Sequence, residues 1–148
     1  MESINPIQIR AASPEDYAKL AELWLEASIL AHDFIDPAYW VQNKNKMQHE
    51  YLPMSDVYIA ESGGEIKGFI ALLANQIAAI FVAPQSQGQG IGGRLISHAK
   101  SLKAQLQLSV YQANHNSVQF YLSKGFQIAA ESVDAQTNAA EYVMRWDG

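Results

Sequence analysis

Val82-Ala83-Pro84-Gln85-Ser86-Gln87-Gly88-Gln89-Gly90-Ile91-Gly92-Gly93-Arg94 places four glycines between two apolar segments of different period. Upstream, Ile77 to Val82 reads as a strand. Downstream, Ile91, Leu95, Ala99, Leu102 and Leu106 recur at helical intervals and predict a long helix packed on a sheet. A glycine-rich turn that opens a helix leaves backbone N–H groups uncovered by side chains. The first N–H groups of a helix have no intrahelical acceptor, and the helix dipole puts partial positive charge at that end. The segment is therefore read as an anion site that binds phosphate without needing lysine.

Three further readings of the same glycines compete with it. Gly88-x-Gly90-x-x-Gly93 satisfies the dinucleotide-binding spacing. That loop should follow its strand directly and be answered about 20 residues later by an acidic residue. Here five residues separate Val82 from Gly88, and the next strand ends Val110-Tyr111-Gln112. A Walker loop is excluded because Gly90-Ile91-Gly92-Gly93-Arg94 lacks the Gly-Lys-Ser/Thr that contacts phosphate and magnesium. A plain helix cap remains, but each glycine inside a helix costs about 1 kcal/mol, more than an ordinary cap requires.

Outward from this loop the chain reads as alternating strands and helices. Ile7 to Arg10 alternates as a first strand, and Ser13-Pro14-Glu15-Asp16 is a helix start with Ser13 as cap. Tyr17, Leu20, Ala21, Trp24 and Ser28 share one helical face. Pro37 opens a second helix through Val41 and Met47 towards Tyr51. Val57 to Glu61 and Ile66 to Ala74 are strands joined by Ser62-Gly63-Gly64-Glu65, whose glycines suit a tight hairpin. After the glycine loop and its helix come a strand at Leu106 to Tyr111 and a short helix at Ser117 to Ser123, which ends at Gly125. Strands near Phe126 to Val133 and Ala139 to Trp146 close the chain. This order predicts an α/β fold with helices on both faces of the sheet, in one domain spanning residues 1–148.

Composition narrows the function. The chain has 148 residues, is 49% hydrophobic and 17% charged, carries a net charge of −5 and contains no cysteine. Disulfides, thiolate metal sites and cysteine nucleophiles are thereby excluded. His32, His49, His98 and His115 form no helical ligand pair, so no metal is expected. The absence of a basic cluster argues against a nucleic-acid partner. Met1-Glu2-Ser3-Ile4-Asn5-Pro6 has no basic and apolar leader pattern, and no apolar window is long enough to span a bilayer. The expectation is a cytoplasmic protein without a membrane partner. Nothing in the sequence separates a monomer from a homodimer.

Val82-x-Pro84-x-x-Gln87-x-x-Gly90-Ile91-Gly92-x-x-Leu95 resembles the acetyl-CoA loop of the GNAT superfamily of N-acetyltransferases, whose signature is Arg/Gln-x-x-Gly-x-Gly/Ala. Asn114-x-x-Ser117-x-x-Phe120-Tyr121-x-x-x-Gly125-Phe126 is similar to that superfamily's second motif. His32-x-Phe34-Ile35 followed by Tyr39-Trp40 looks like a bacterial subgroup that includes protein-lysine acetyltransferases. The resemblance implies a mixed, mostly antiparallel, twisted sheet flanked by helices on both faces, splayed beside the strand that precedes the loop. Three departures stand out: Gln87 where many members carry arginine, Ser117 for alanine, and no glutamate on Gln76 to Val82 to serve as general base.

The resemblance also implies a chemistry. Acetyl-CoA is the co-substrate, held by Gln87, Gly88, Gln89, Gly90, Ile91, Gly92 and Gly93 at its pyrophosphate. Ile80, Phe81 and Val82 lie along pantetheine, with a backbone N–H among them for the oxyanion. Asn114, Phe120 and Tyr121 complete the cofactor contacts, and Tyr121 is the acid that protonates the leaving thiolate. The acceptor is a primary amine (a protein lysine, a peptide or a small amine) that attacks directly in a ternary complex. His32, Phe34 and Trp40 are candidates to line its site with Tyr39, and His32 and Asp33 to take its proton. The competing reading is a regulatory module that binds acetyl-CoA and acts through a protein partner without catalysis.

Overall fold

Ser13, Pro14 and Asp16 start the first helix by reciprocal bonding. In the computed structural model, which describes residues 6–148, the Asp16 carboxylate accepts from the Ser13 N–H at 2.8 Å and the Ser13 hydroxyl at 3.1 Å. Met1 to Asn5, read above for a leader, lie outside the described residues. Asp16 also receives both Arg10 guanidinium nitrogens at 2.9 and 3.0 Å, and Arg10 reaches Glu61 at 3.1 Å. One carboxylate thus caps a helix and ties it to the edge of the sheet.

Strand β1 (Gln8–Ala11) precedes a 3₁₀ turn (Pro14–Asp16), α1 (Tyr17–Ala31) and α2 (Pro37–Lys46). The second helix continues, as its period predicted, through a π-helical turn (Met47–Tyr51) into α3 (Leu52–Met54). Three antiparallel strands follow: β2 (Asp56–Ser62), β3 (Glu65–Leu73) and β4 (Gln76–Val82). Gly63 and Gly64 turn the β2–β3 hairpin with φ of 59° and 81°, the double positive φ such a turn requires. Then come α4 (Ile91–Leu102), β5 (Leu106–Tyr111), α5 (His115–Ser123), β6 (Gln127–Val133) and β7 (Ala140–Trp146). The sheet has the order β1-β2-β3-β4-β5-β7-β6 and is antiparallel except between β4 and β5. It is the mixed, mostly antiparallel sheet with helices on both faces that was expected.

Several strand ends lie one residue from the sequence reading, and two differences around α4 and α5 have a local cause. Leu106, counted in the helical recurrence as well as in the strand Leu106 to Tyr111, belongs to the strand as read and not to α4, because Lys103 turns extended (φ −129°, ψ 141°) after Leu102. A spacing of four suits both the helical period and strand alternation, so Leu106 matched either. The short helix begins at His115, not Ser117, because the Asn114 side chain accepts the Ser117 N–H at 3.3 Å and so sits one turn earlier as the cap. Its other end is as predicted: Gly125 has φ 89°.

Strand alternation builds a core on each face. Val57, Ile59, Phe69, Ala71 and Ala79 meet Leu20, Ala21 and Trp24 of α1 and Trp40 of α2. Ile70, Leu72, Leu108, Val110 and Met144 meet Ile91, Leu95, Ile96 and Ala99 of α4, with Tyr121 of α5. Burying each such aliphatic side chain is worth roughly 1.5–3 kcal/mol. Among the described residues no helix is long and apolar enough to cross a membrane.

Arg10 holds the Asp16 carboxyl well below its usual value, outweighing the opposing effect of burial, and the Ser13 N–H adds to it. A lowered carboxyl stabilises the fold above its unfolded value of about 4 and loses that contribution as pH falls further. Asp16→Ala should cost about 1–2 kcal/mol in urea unfolding at pH 7. Its gap from the parent protein should begin to narrow below about pH 4 and go on shrinking as pH falls further.

Candidate active site

β4 and β5 pair only at Gln76 and Gln107. Beyond that bridge β4 bends, because Ala78 is an extra residue between the Leu72–Ile77 and Ala71–Ala79 pairs with β3. A cleft of about 1030 Å³ opens between the strands, running from the glycine loop past Tyr121 to the aromatic residues of α1 and α2. The Ala83 N–H bonds to Lys67 O at 2.8 Å. In an antiparallel ladder bonds to one neighbour fall on alternate residues, so Phe81 and Ala83 address β3 while the N–H and C=O of Ile80 and Val82 face the cleft. Of the three residues expected along pantetheine, Phe81 presents its side chain, not its backbone, to the cleft.

The loop closes one end. Gly88 and Gly90 have φ of 79° and 80°, which only glycine adopts without strain. Gly92 and Gly93 are small for a different reason: a Cβ there would lie 3.1 Å from Phe120 Cζ and 3.1 Å from Lys124 Nζ respectively. The first helical bond runs from Arg94 N–H to Gly90 O, so the N–H groups of Ile91, Gly92 and Gly93 precede it without an intrahelical acceptor. Gln87 donates from Nε2 to Val82 O at 3.3 Å and fixes the loop to the end of β4. Gln89 is exposed and does not line the cleft. Lys124, not anticipated from the sequence, lines the loop's mouth over the Phe120 ring at 5.6 Å and has no carboxylate partner among the described residues.

Tyr121 is 8% exposed, packs its ring on Phe120 and Phe126 at 5.4 and 5.9 Å, and lines the cleft. Its hydroxyl has no hydrogen-bond partner among the described residues. Burial pushes that hydroxyl well above the ordinary phenol value, so it stays protonated.

At the far end His32 stacks on Trp40 at 5.0 Å and meets Tyr111 edge-on at 5.2 Å. Phe34 joins the group at 5.7 Å from His32, but it is 39% exposed and outside the cleft lining. Asp33 is exposed as well. Because Asn114 Oδ1 accepts from Ser117, its Nδ2 donates to His32 Nε2 at 3.3 Å. The His32 proton therefore resides on Nδ1, which is buried without a partner, as is Trp40 Nε1. Burial lowers the His32 value, partly offset by the Ser28 backbone, and keeps the ring neutral.

Sequence reasoning missed Tyr111 and Glu141, which face each other across β5 and β7 and both line the cleft. Tyr111 donates to Asp134 Oδ2 at 2.6 Å, and Tyr39 donates to Gln136 at 2.6 Å, so the β6–β7 turn is fastened over the aromatic group. No residue pattern along the chain marked these contacts; they join positions 23 and 97 residues apart. Among the described residues no group of His, Asp or Glu is arranged to hold a metal.

Against known proteins, a family model described as "Acetyltransferase (GNAT) domain" matches residues 53–128, more than half of the chain. The chain belongs to the GNAT acetyltransferase family. This GNAT protein is 31% identical over 139 residues to peptidyl-lysine N-acetyltransferase YiaC of Escherichia coli, covering 93% of this chain and 95% of YiaC. It is 32% identical over 127 residues to peptidyl-lysine N-acetyltransferase YjaB of Salmonella typhimurium, covering 85% and 87%. Among solved structures, apo YjaB from Escherichia coli matches with a TM-score of 0.85 at 26% identity, over 97% of this chain and 99% of that one. The PaiA N-acetyltransferase of Thermoplasma acidophilum, solved with coenzyme A, shares the fold with a TM-score of 0.83 at 20% identity, over 97% and 99%. With the family match and these relatives, the GNAT chain is an N-acetyltransferase.

Gly90→Ala imposes a left-handed conformation on a residue with a Cβ, at about 1–2 kcal/mol. Calorimetric titration should give acetyl-CoA binding roughly five- to thirty-fold weaker than in the parent. Lys124→Gln should weaken it by a smaller factor that shrinks as salt is raised.

Proposed function

We propose that the protein transfers the acetyl group of acetyl-CoA to a primary amine, a lysine side chain of a protein or peptide, by direct attack in a ternary complex. The observation that carries this reading is the splay of β4 from β5, which joins the glycine loop, the Tyr121 hydroxyl and an aromatic end in one cleft. The named activity of YiaC and YjaB supports lysine as the acceptor class.

The pyrophosphate lies on the N–H groups of Ile91, Gly92 and Gly93, with Lys124 as the cation that Gln87 does not supply. Pantetheine pairs with the cleft-facing backbone of Ile80 and the Val82 N–H as an added strand. One of those N–H groups receives the carbonyl oxygen as it becomes an oxyanion. Collapse of the tetrahedral intermediate expels thiolate, and Tyr121 gives it a proton. With Tyr121 held above its usual range, the transfer from phenol to thiolate is uphill in water, so short range and the dry surroundings must favour it. Asn114 serves as a positioning residue: one arm caps α5 and the other orients His32.

The test is thiol release from acetyl-CoA in the presence of lysine peptides and small amines. Turnover on lysine peptides is expected, with Tyr121→Phe lowering kcat by about 10²–10⁴-fold while acetyl-CoA binding stays within a few-fold. Tight binding without turnover on any acceptor would turn the assignment to a regulatory acetyl-CoA sensor.

A further inference from the structure

An alkylammonium acceptor has to lose a proton before its nitrogen can attack, and at neutral pH that proton needs a base. The titratable side chains lining the cleft are His32, Tyr111, Tyr121, Lys124 and Glu141. Four of them are already committed. The single lone pair of neutral His32, on Nε2, is occupied by Asn114. Tyr111 has given its hydroxyl proton to a hydrogen bond with Asp134. Tyr121 is protonated and lies where the thiolate departs, and Lys124 is a cation beside the glycine loop.

Glu141 remains, the one carboxylate lining the cleft among the described residues. It sits on β7 directly opposite Tyr111 of β5, and paired residues of an antiparallel ladder point to the same face. That face carries the His32, Trp40 and Tyr111 aromatic group. On its other side Ser132 of β6 donates to Glu141 Oε1 at 3.3 Å, and Gln112 Nε2 donates to the Glu141 backbone carbonyl at 3.2 Å while also holding Glu131. The carboxylate is therefore held in place with lone pairs left over for an ammonium.

We propose that Glu141 receives the acceptor's ammonium group and takes the proton it must lose before attacking the thioester. The assignment rests on the transferase reading above. R–NH₃⁺ gives one proton to Glu141, which releases it to solvent. The resulting R–NH₂ forms the N–C bond to the acetyl carbon, the C–S bond breaks, and the electron pair leaves on sulfur. The nitrogen loses its second surplus proton to solvent after attack, and Tyr121 regains from solvent the proton it passes to the thiolate. Each turnover yields an amide, coenzyme A and one proton.

The surroundings suit the role. Burial first, then the negative charge of Asp134, hold the Glu141 carboxyl above its usual value, partly offset by Ser132. The charged and titratable groups around it are Asp134, Glu131 held by the same Gln112, and Tyr111 opposite on β5, with His32 and Tyr121 elsewhere in the cleft lining. A base must be deprotonated to act, so turnover should fall as pH drops through a value higher than that of an ordinary glutamate. The carboxylate also selects cationic acceptors, lysine-like amines over neutral or anionic ones.

The experiment measures thiol release against pH with the best lysine peptide from the acceptor screen, for the parent, Glu141→Gln and Glu141→Asp, with acetyl-CoA binding by calorimetry on each. Glu141→Gln should lower kcat by about 10²-fold, remove the acid limb and leave acetyl-CoA affinity unchanged. Glu141→Asp should restore part of the rate and the limb. If the glutamine variant turns over within two-fold of the parent with the same acid limb, the assignment to Glu141 is overturned and the transferase reading stands. If the parent itself binds acetyl-CoA but releases no thiol with any acceptor, both fall together.

Discussion

The parting of β4 from β5 after Gln76 is the constraint on which the rest depends. A buried strand edge whose N–H and C=O groups have no partner is costly, and proteins rarely leave one inside a fold. Here the half-buried backbone of Ile80 and the Val82 N–H form such an edge, with Val82 O taken by Gln87, because Ala78 bulges β4 away, and the gap lets α5 on one face and α1 and α2 on the other reach one cleft. A ligand with amide groups along an extended chain satisfies that edge in the way a neighbouring strand would. The sheet is thus left incomplete along the cleft.

The cleft is electrically divided. Its glycine-loop end is positive through helix N–H groups and Lys124, although the whole protein carries a net charge of −5. Its other end is aromatic and acidic, with Tyr111, Glu141 and, behind them, Asp134. The proposed binding of an anionic cofactor at one end and a cationic acceptor at the other follows this division. Backbone partial charges do locally what net charge cannot, because exposed charges are screened within about 10 Å.

Much of this was legible in residue order. The glycine spacing, the Gly63-Gly64 hairpin, the Pro14 and Pro37 helix starts and the Gly125 cap all depend on backbone conformations that particular residues favour, and all appear as read. The errors came where a local pattern is degenerate. Leu106 reads correctly as the start of a strand but also counts in the helical recurrence, since its spacing fits both, and Asn114 and Ser117 are both capable of opening a helix. Gln89 shared the loop's sequence signature yet points to solvent, since a motif fixes backbone path more tightly than side-chain direction.

The sequence by itself determined the elements, their order and the chemistry of the loop, because turn geometry, helix caps and hydrophobic period act over a few residues. Only the tertiary structure decided which side chains meet. Burial holds His32 neutral, its lone pair is occupied because Asn114, 82 positions away, donates to it, and Tyr111 meets Asp134 because β5, β7 and the β6 turn stack across the sheet. Proton affinity and hydrogen-bond occupancy belong to neighbours in space, and those neighbours are brought together by the packed sheet and by nothing local in the chain.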